Sequence, residues 1–220
     1  MQAFKTRLKK ICSLFRKKGF LATLFFVFGR LVFKFNRHVV YEANLDRALC
    51  VSRWGTDENI FNFGPDDLRH IYEDNGLVEF LGGELAEEYL EGVARGDRLF
   101  VVRNKQGYAY YGFIIFDTRQ TKIIGEWQKA PFIANCFTAE SERGKGVYRR
   151  ALNDKLVYLQ RLGYKRAIVE VHPDNYASRK GIEAAPFHLC REMATCLLFY
   201  KIAIQFIKTN RGYNVRIVIV

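Results

Sequence analysis

The sequence lacks what several common chemistries require. Its five cysteines, Cys12, Cys50, Cys136, Cys190 and Cys196, are odd in number and form no C-x-x-C pair, so neither a disulfide framework nor a zinc site is suggested. Four histidines, His38, His70, His172 and His188, are scattered, and no metal is expected. The G-x-x-x-x-G-K-[ST] of a nucleoside-triphosphate P-loop is absent, as is the G-x-G-x-x-G of a dinucleotide fold. There is no internal repeat and no low-complexity tract. The uninterrupted apolar stretch from Gly19 to Gly29 has eleven residues, and Arg30 and Lys34 follow it. That is well short of the roughly 20 residues that cross a bilayer as a helix.

Acidic residues are missing from the start of the chain. Residues 1–37 contain ten Lys or Arg and no Asp or Glu, so the other 183 residues carry only +2 of the net charge of +12. Phe20, Leu21, Leu24, Phe25, Phe28, Leu31, Val32 and Phe35 recur there at helical spacing. An amphipathic basic helix or helix pair is expected to lie in a membrane interface, where each Lys or Arg near an anionic leaflet adds on the order of 1 kcal/mol. The same pattern suits a helix packed on the following domain, or a lid over its cleft. No small-residue cleavage site follows the apolar region, which argues against a signal peptide. Basic and aromatic residues are interleaved, but the aromatics follow a helical face and build no stacking platform, so no nucleic-acid partner is expected. Residues 1–37 are read as a membrane-interface or lid segment, 38–46 as a junction, and 47–220 as one folded domain. The cysteine usage fits a reducing, cytoplasmic setting, peripheral on the inner face of a membrane.

At 220 residues with 49% hydrophobic content, the chain is long enough to bury a substantial core. Helices are predicted over Leu68–Tyr72, after the Gly64-Pro65-Asp66-Asp67 start signal, and over Glu84–Ala94. Strands are predicted over Leu99–Arg103 and Tyr108–Phe116, over Met193–Phe206 and over Tyr213–Val220. A further strand is expected around Lys122–Trp127.

The most informative stretch is Glu142-Arg143-Gly144-Lys145-Gly146-Val147-Tyr148. Before it runs the apolar, strand-like Phe132-Ile133-Ala134-Asn135-Cys136-Phe137-Thr138. After it, Val147, Ala151, Leu152, Leu156, Leu159 and Leu162 mark one buried face of a helix ending near Gly163. The order strand, glycine turn, helix places unpaired N–H groups and the positive end of the helix dipole at the turn. Glycines let the backbone approach a phosphate, and Arg143, Lys145, Arg149 and Arg150 add positive charge.

This stretch resembles motif A of the GNAT superfamily of acyl-coenzyme A-dependent N-acetyltransferases, R/Q-x-x-G-x-G/A. Arg143 and Gly146 match the first two specified positions, and Tyr148 stands where the family has Gly or Ala. Downstream, strand-like Arg166–His172 leads into Asn175, Ser178 and Phe187, which fit the spacing of the family's motif B. Ile182 and Pro186 there replace a Tyr and a Gly. The resemblance covers residues 47–220 and implies an α+β fold, a splayed, mostly antiparallel mixed sheet with helices on both faces.

The resemblance also implies a chemistry. Acetyl-coenzyme A would be the co-substrate, attacked directly by an acceptor amine or hydroxyl. The backbone at Phe137 and Thr138 would bind pantetheine, and Arg143, Gly144, Lys145, Gly146, Val147 and Tyr148 the phosphates. Asn175 would lie near the acyl end, with Ser178 on the following helix. Glu170 and His172 alternate onto one strand face and either could accept a proton. Either could instead be structural, Glu170 as a partner for Arg166 or Lys165, His172 by closing the strand. Ile182 cannot supply the proton that a motif-B Tyr gives the leaving thiolate, which leaves Tyr176, Tyr148 or water. Cys136 lies in an apolar strand with no His in a triad relation to it, so it is expected to pack. Trp54 and Trp127 could stack on a sugar. The runs Arg143–Tyr148 and Ser178–Ala185 resemble GNAT members of bacterial surface-polysaccharide or envelope synthesis, which implies an amino sugar, nucleotide- or lipid-linked, as acceptor. A small amine, amino acid or peptide is the alternative acceptor, and a noncatalytic module binding acyl-coenzyme A or anionic lipid is the alternative function.

Overall fold

The computed structural model describes residues 33–46, 49–116, 118–125, 130–199, 201–209 and 211–220. The expected basic helix over residues 1–32, and Trp127, lie outside them. The chain divides into two compact units, one of His38–Glu192 and one that includes residues 33–37 and 193–220.

The larger unit is built on a sheet whose strands are β1 (Phe33–Asn44), β2 (Asn59–Phe63), β3 (Arg98–Asn104), β4 (Gly107–Ile115), β5 (Phe132–Thr138) and β6 (Arg166–Val171), in the order β2-β3-β4-β5-β6-β1. All pairings here are antiparallel except β5 with β6, which is parallel. Between β2 and β3 run α1 (Leu68–Glu73), α2 (Asn75–Phe80) and α3 (Glu84–Ala94), and α4 (Thr118–Ile123) follows β4. The chain then forms α5 (Val147–Arg161) and α6 (Tyr176–Glu183) on either side of β6.

Alternation along the strands divides the core between two faces. Val39, Tyr41, Val169 and Val171 pack with Leu152, Leu156 and Leu159 of α5 and Ile182 of α6. Val40, Ile168, Leu99 and Phe113 pack on the other side with Ile71, Leu77, Leu90 and Val93. Each such Leu or Ile contributes about 1.5–3 kcal/mol on burial, so α5 is anchored by its apolar stripe. Its end is set by Gly163, whose φ of +84° permits the left-handed turn that returns the Tyr164 amide to the Leu159 carbonyl at 3.1 Å.

The smaller unit contains β8 (Ile202–Thr209) and β9 (Gly212–Ile219), with β7 (His188–Leu198) entering it from the larger one. These three form an antiparallel meander.

Several expectations are corrected. The stretch read as a junction is most of β1, and Phe35, counted towards a helical face, belongs to the same strand. Its pattern His38-Val39-Val40-Tyr41-Glu42-Ala43 alternates between the two sheet faces, and the helical period of the preceding residues masked that signal. Lys122 and Ile123 end helix α4 in place of the expected strand. The run Met193–Phe206 is two strands, because the chain turns at Phe199, whose φ is +49°.

Candidate functional site

Parallel pairing between β5 and β6 is confined to Phe132 with Ile168 and Ile133 with Val169. Beyond that point the strands separate. A register shift against β4 accompanies the separation: Tyr111 lies opposite Phe137 while Phe113 lies opposite Ala134, so β5 carries an extra residue there. Asn135, at φ +49°, marks this bulge. Phe137 and Thr138 follow it, paired with β4 on one edge and, among the described residues, with no strand on the other. This is the splay expected between the two strands.

The chain then crosses a short 3-10 turn, Glu140–Glu142, into the start of α5. Gly144 and Gly146 have φ of +78° and +75°, and a side chain on either would meet nothing within 4 Å. The turn therefore needs glycine for its backbone conformation, and it opens to space. The amides of Gly144, Lys145, Gly146, Val147 and Tyr148 have no acceptor among the described residues. Those groups, with the helix dipole behind them, suit the phosphates of a coenzyme A.

The flanking cations are less free than the sequence suggests. Arg143 donates to the Thr138 carbonyl at 3.3 Å and pairs with Glu140 at 3.2 Å. Lys145 pairs with the buried Glu142 at 3.0 Å. Arg150 is structural: it pairs with Glu58 at 2.7 Å and its guanidinium lies 4.6 Å from the Trp54 ring centre. Trp54 in turn donates to Asp154 at 2.6 Å, which holds it on α5. Of the four cations, Arg149 alone is exposed with no partner among the described residues.

Tyr148 turns inward. Its ring approaches α6 so closely that a Cβ on Gly181 would fall 2.5 Å from it, and it lies 6.2 Å from the ring of Tyr110. Burial, with Cys136 as a lesser cause, raises its hydroxyl well above the ordinary range. The ring thus fills the seam between α5 and α6.

The residues expected near the acyl end fall into separate places. Asn175 caps α6, accepting the Ser178 amide at 3.2 Å, so those two are joined to each other. Glu170 is the first residue of β6 past the splay and accepts from His38 Nδ1 at 2.9 Å. The Nε2 of His38 is buried and has no partner among the described residues. His172 lies beyond the end of β6, where its Nδ1 accepts the Asp174 amide at 3.3 Å. Tyr176 is 72% exposed. No hydrogen bond joins Glu170, His172 and Tyr176 among the described residues.

Two groups escaped the sequence reading. His38 gave no signal beyond strand alternation. Lys155 did give one, since it occupies the apolar stripe of α5 between Leu152 and Leu156. It is 0% exposed. On the opposite sheet face, Phe137 packs against Tyr111 at 5.4 Å and Phe80 at 5.6 Å between ring centres. Beside them the Tyr108 hydroxyl donates to Asp74, and burial together with that bond pushes Tyr108 up to about 12. The splay is therefore walled by aromatic rings on that face.

No protein-family model and no curated protein matches this chain. Among solved structures, a Drosophila protein aligns with TM-score 0.53 at 10% identity, over 89% of this chain and 57% of its own. A tandem GNAT protein from the clavulanic acid biosynthesis pathway aligns with TM-score 0.50 at 13% identity, over 72% of this chain and 52% of its own. A GNAT-family acetyltransferase from Colwellia psychrerythraea gives 0.49 at 17% identity, covering 80% and 57%. The chain thus spans little more than half the length of each of these. What is shared at such identities is the architecture, and it is the GNAT fold.

Proposed function

We propose that this chain is an acetyl-coenzyme A-dependent N-acetyltransferase. The observation that carries the proposal is the continuity of a splayed, bulged β5 with the acceptor-free amides of Gly144 to Tyr148 at the start of α5. The turn would hold the phosphates, and the free edge of Phe137 and Thr138 the pantetheine. When bound, the coenzyme supplies an acyl group activated as a thioester. This chain's residues would orient it and exclude water with the rings of Phe137 and Tyr111. An acceptor amine would enter near Glu170, whose carboxylate is held by His38. Calorimetry with coenzyme A and radiolabelled acetyl transfer across amine classes test the proposal. No binding of coenzyme A would remove it.

The acceptor we favour is an amino sugar in nucleotide- or lipid-linked form, as an envelope precursor. The membrane-facing role of the basic segment rests on its ten cations without an acid. Sedimentation with anionic liposomes, lost on deleting residues 1–32 and weakened by salt, is the expected result. Deleting only those residues leaves β1 whole. A second reading, a module that binds acyl-coenzyme A without turnover, is favoured by Ile182, which is wholly buried where the family's proton donor would stand. Tight binding with no transfer to any amine would support it.

A further inference from the structure

One group of buried reactive side chains has no part in the function proposed above. Lys155 is 0% exposed and no carboxylate pairs with it among the described residues. Its Nζ donates to the Tyr110 hydroxyl at 2.5 Å and lies 3.8 Å from Cys136 Sγ. The Tyr110 hydroxyl donates to the same sulfur at 3.1 Å. Gly112 makes the cluster possible, since a Cβ there would fall 2.4 Å from the Tyr110 oxygen, 2.5 Å from Nζ and 2.8 Å from Sγ. Of the three members only Cys136 is partly exposed, and it follows Asn135 in the β5 bulge.

An ammonium in such a place costs several kcal/mol of desolvation without a counter-ion. Burial accordingly lowers the Lys155 pKa, with Cys136 as a lesser, opposing cause, and so favours the neutral amine. A neutral amine gives one N–H to Tyr110 and keeps its lone pair. Nζ and Sγ are 3.8 Å apart, and a small side-chain movement brings the lone pair to the thiol proton, which Sγ otherwise directs to the Ala134 carbonyl at 3.6 Å.

We propose that Cys136 is an acyl-acceptor thiol, with Lys155 as its base, that takes an acyl group from an acyl thioester. The inference rests on the acyl-coenzyme A function proposed above, because Cys136 immediately precedes the Phe137–Thr138 edge given to the pantetheine. In the step, Sγ forms a bond to the thioester carbonyl carbon as its proton passes to Nζ. The bond from that carbon to the departing sulfur breaks, and the departing thiolate takes the proton back from Nζ. One thioester is exchanged for another, no redox change occurs, and Lys155 ends neutral as it began.

The test is peptide mass spectrometry of the full chain after incubation with acetyl-coenzyme A and no acceptor. Acetyl is expected on Cys136 at least about tenfold faster than on Cys50 and Cys190, although those two are more exposed. The adduct is removed by hydroxylamine and absent from Cys136→Ser. Lys155→Met slows labelling at least about tenfold, and Tyr110→Phe is the second variant should the first not fold. Labelling of Cys136 no faster than that of Cys50 and Cys190, in a protein that binds coenzyme A by calorimetry, overturns the proposal. A wild-type rate in a folded variant of Lys155 overturns its role as base. If coenzyme A does not bind, the acetyltransferase function fails by itself, and S-acetyl-N-acetylcysteamine, a thioester without a nucleotide, decides the matter: preferential labelling of Cys136 upholds the pair and indiscriminate labelling overturns it.

Discussion

Helix α5 and the turn before it hold basic side chains in two very different ways. In the turn that precedes Val147, Arg143 and Lys145 stand 57% and 55% exposed, each beside a glutamate three residues earlier. Two turns into the helix, Lys155 is sealed from solvent with a tyrosine hydroxyl and a thiol as neighbours. The Arg143–Glu140 pair is fully at the surface, and such pairs add about 0–1 kcal/mol to stability and are screened by salt. A buried amine of the second kind opposes folding unless it is neutral. The difference teaches that an exposed cation costs the fold little and stays available to a ligand, whereas a buried amine persists despite its cost to the fold.

The comparison can be broken at several points, and the largest effect belongs to the interior. Lys155→Glu would put a carboxylate beside Tyr110 and Cys136 with no cation to meet it. A loss of about 3–5 kcal/mol is expected, seen as a lost or much lowered thermal transition. Gly112→Ala would push a methyl group into the same three side chains and is expected to lose about 1–3 kcal/mol in denaturant unfolding. An unchanged midpoint would mean that the cluster yields easily.

The pH dependence of stability sharpens the contrast. The Lys155 pKa is lowered in the fold from 10.5, so below pH 10.5 the unfolded chain binds a proton that the folded chain does not. Stability contributed by this site therefore falls as the pH falls, by at most about 1.4 kcal/mol per unit, until the lowered pKa is reached. Burial raises the Tyr110 pKa from 10.0, which works in the opposite direction only above that pH. Below pH 10, Lys155→Met should thus flatten the dependence. Parallel curves for the two proteins would show that Lys155 is charged in the fold.

At the helix start the expected effect is on the ligand. Arg143→Glu with Lys145→Glu should weaken coenzyme A binding at least about tenfold by calorimetry, near 1.4 kcal/mol. The smallest effect is the same variant's stability, expected to fall by about 1 kcal/mol or less, chiefly because the buried Glu142 loses Lys145. A large loss of stability with unchanged affinity would reverse the roles assigned to the turn before α5 and to its interior.

Much of the architecture was legible because local pattern and global fold agree. The stripe Val147, Ala151, Leu152, Leu156, Leu159 and Leu162 predicts α5, and the first five are buried, while Leu162 lies past the helix end and is exposed. Gly144 and Gly146 predict the turn, and both take positive φ. Helices over Leu68–Glu73 and Glu84–Ala94 are likewise where the pattern puts them. β1 was not legible, since it follows a basic apolar segment with a helical period. Nor was the constraint on Arg150 legible: Glu58 and Trp54, which hold it, are more than ninety residues away in the chain. The inward turn of Tyr148 depends on Gly181, in a helix two elements later.

By itself the sequence determined the order of strand, glycine turn and helix, the apolar face of α5 and the concentration of basic residues before residue 38, because each follows from neighbours a few positions apart. Tertiary structure alone decided which polar groups meet. His38 reaches Glu170 across 132 residues, and Lys155 reaches Tyr110 across 45. Such meetings are set by strand register and by helix packing on the sheet, where a shift of one residue sends a side chain to the opposite face.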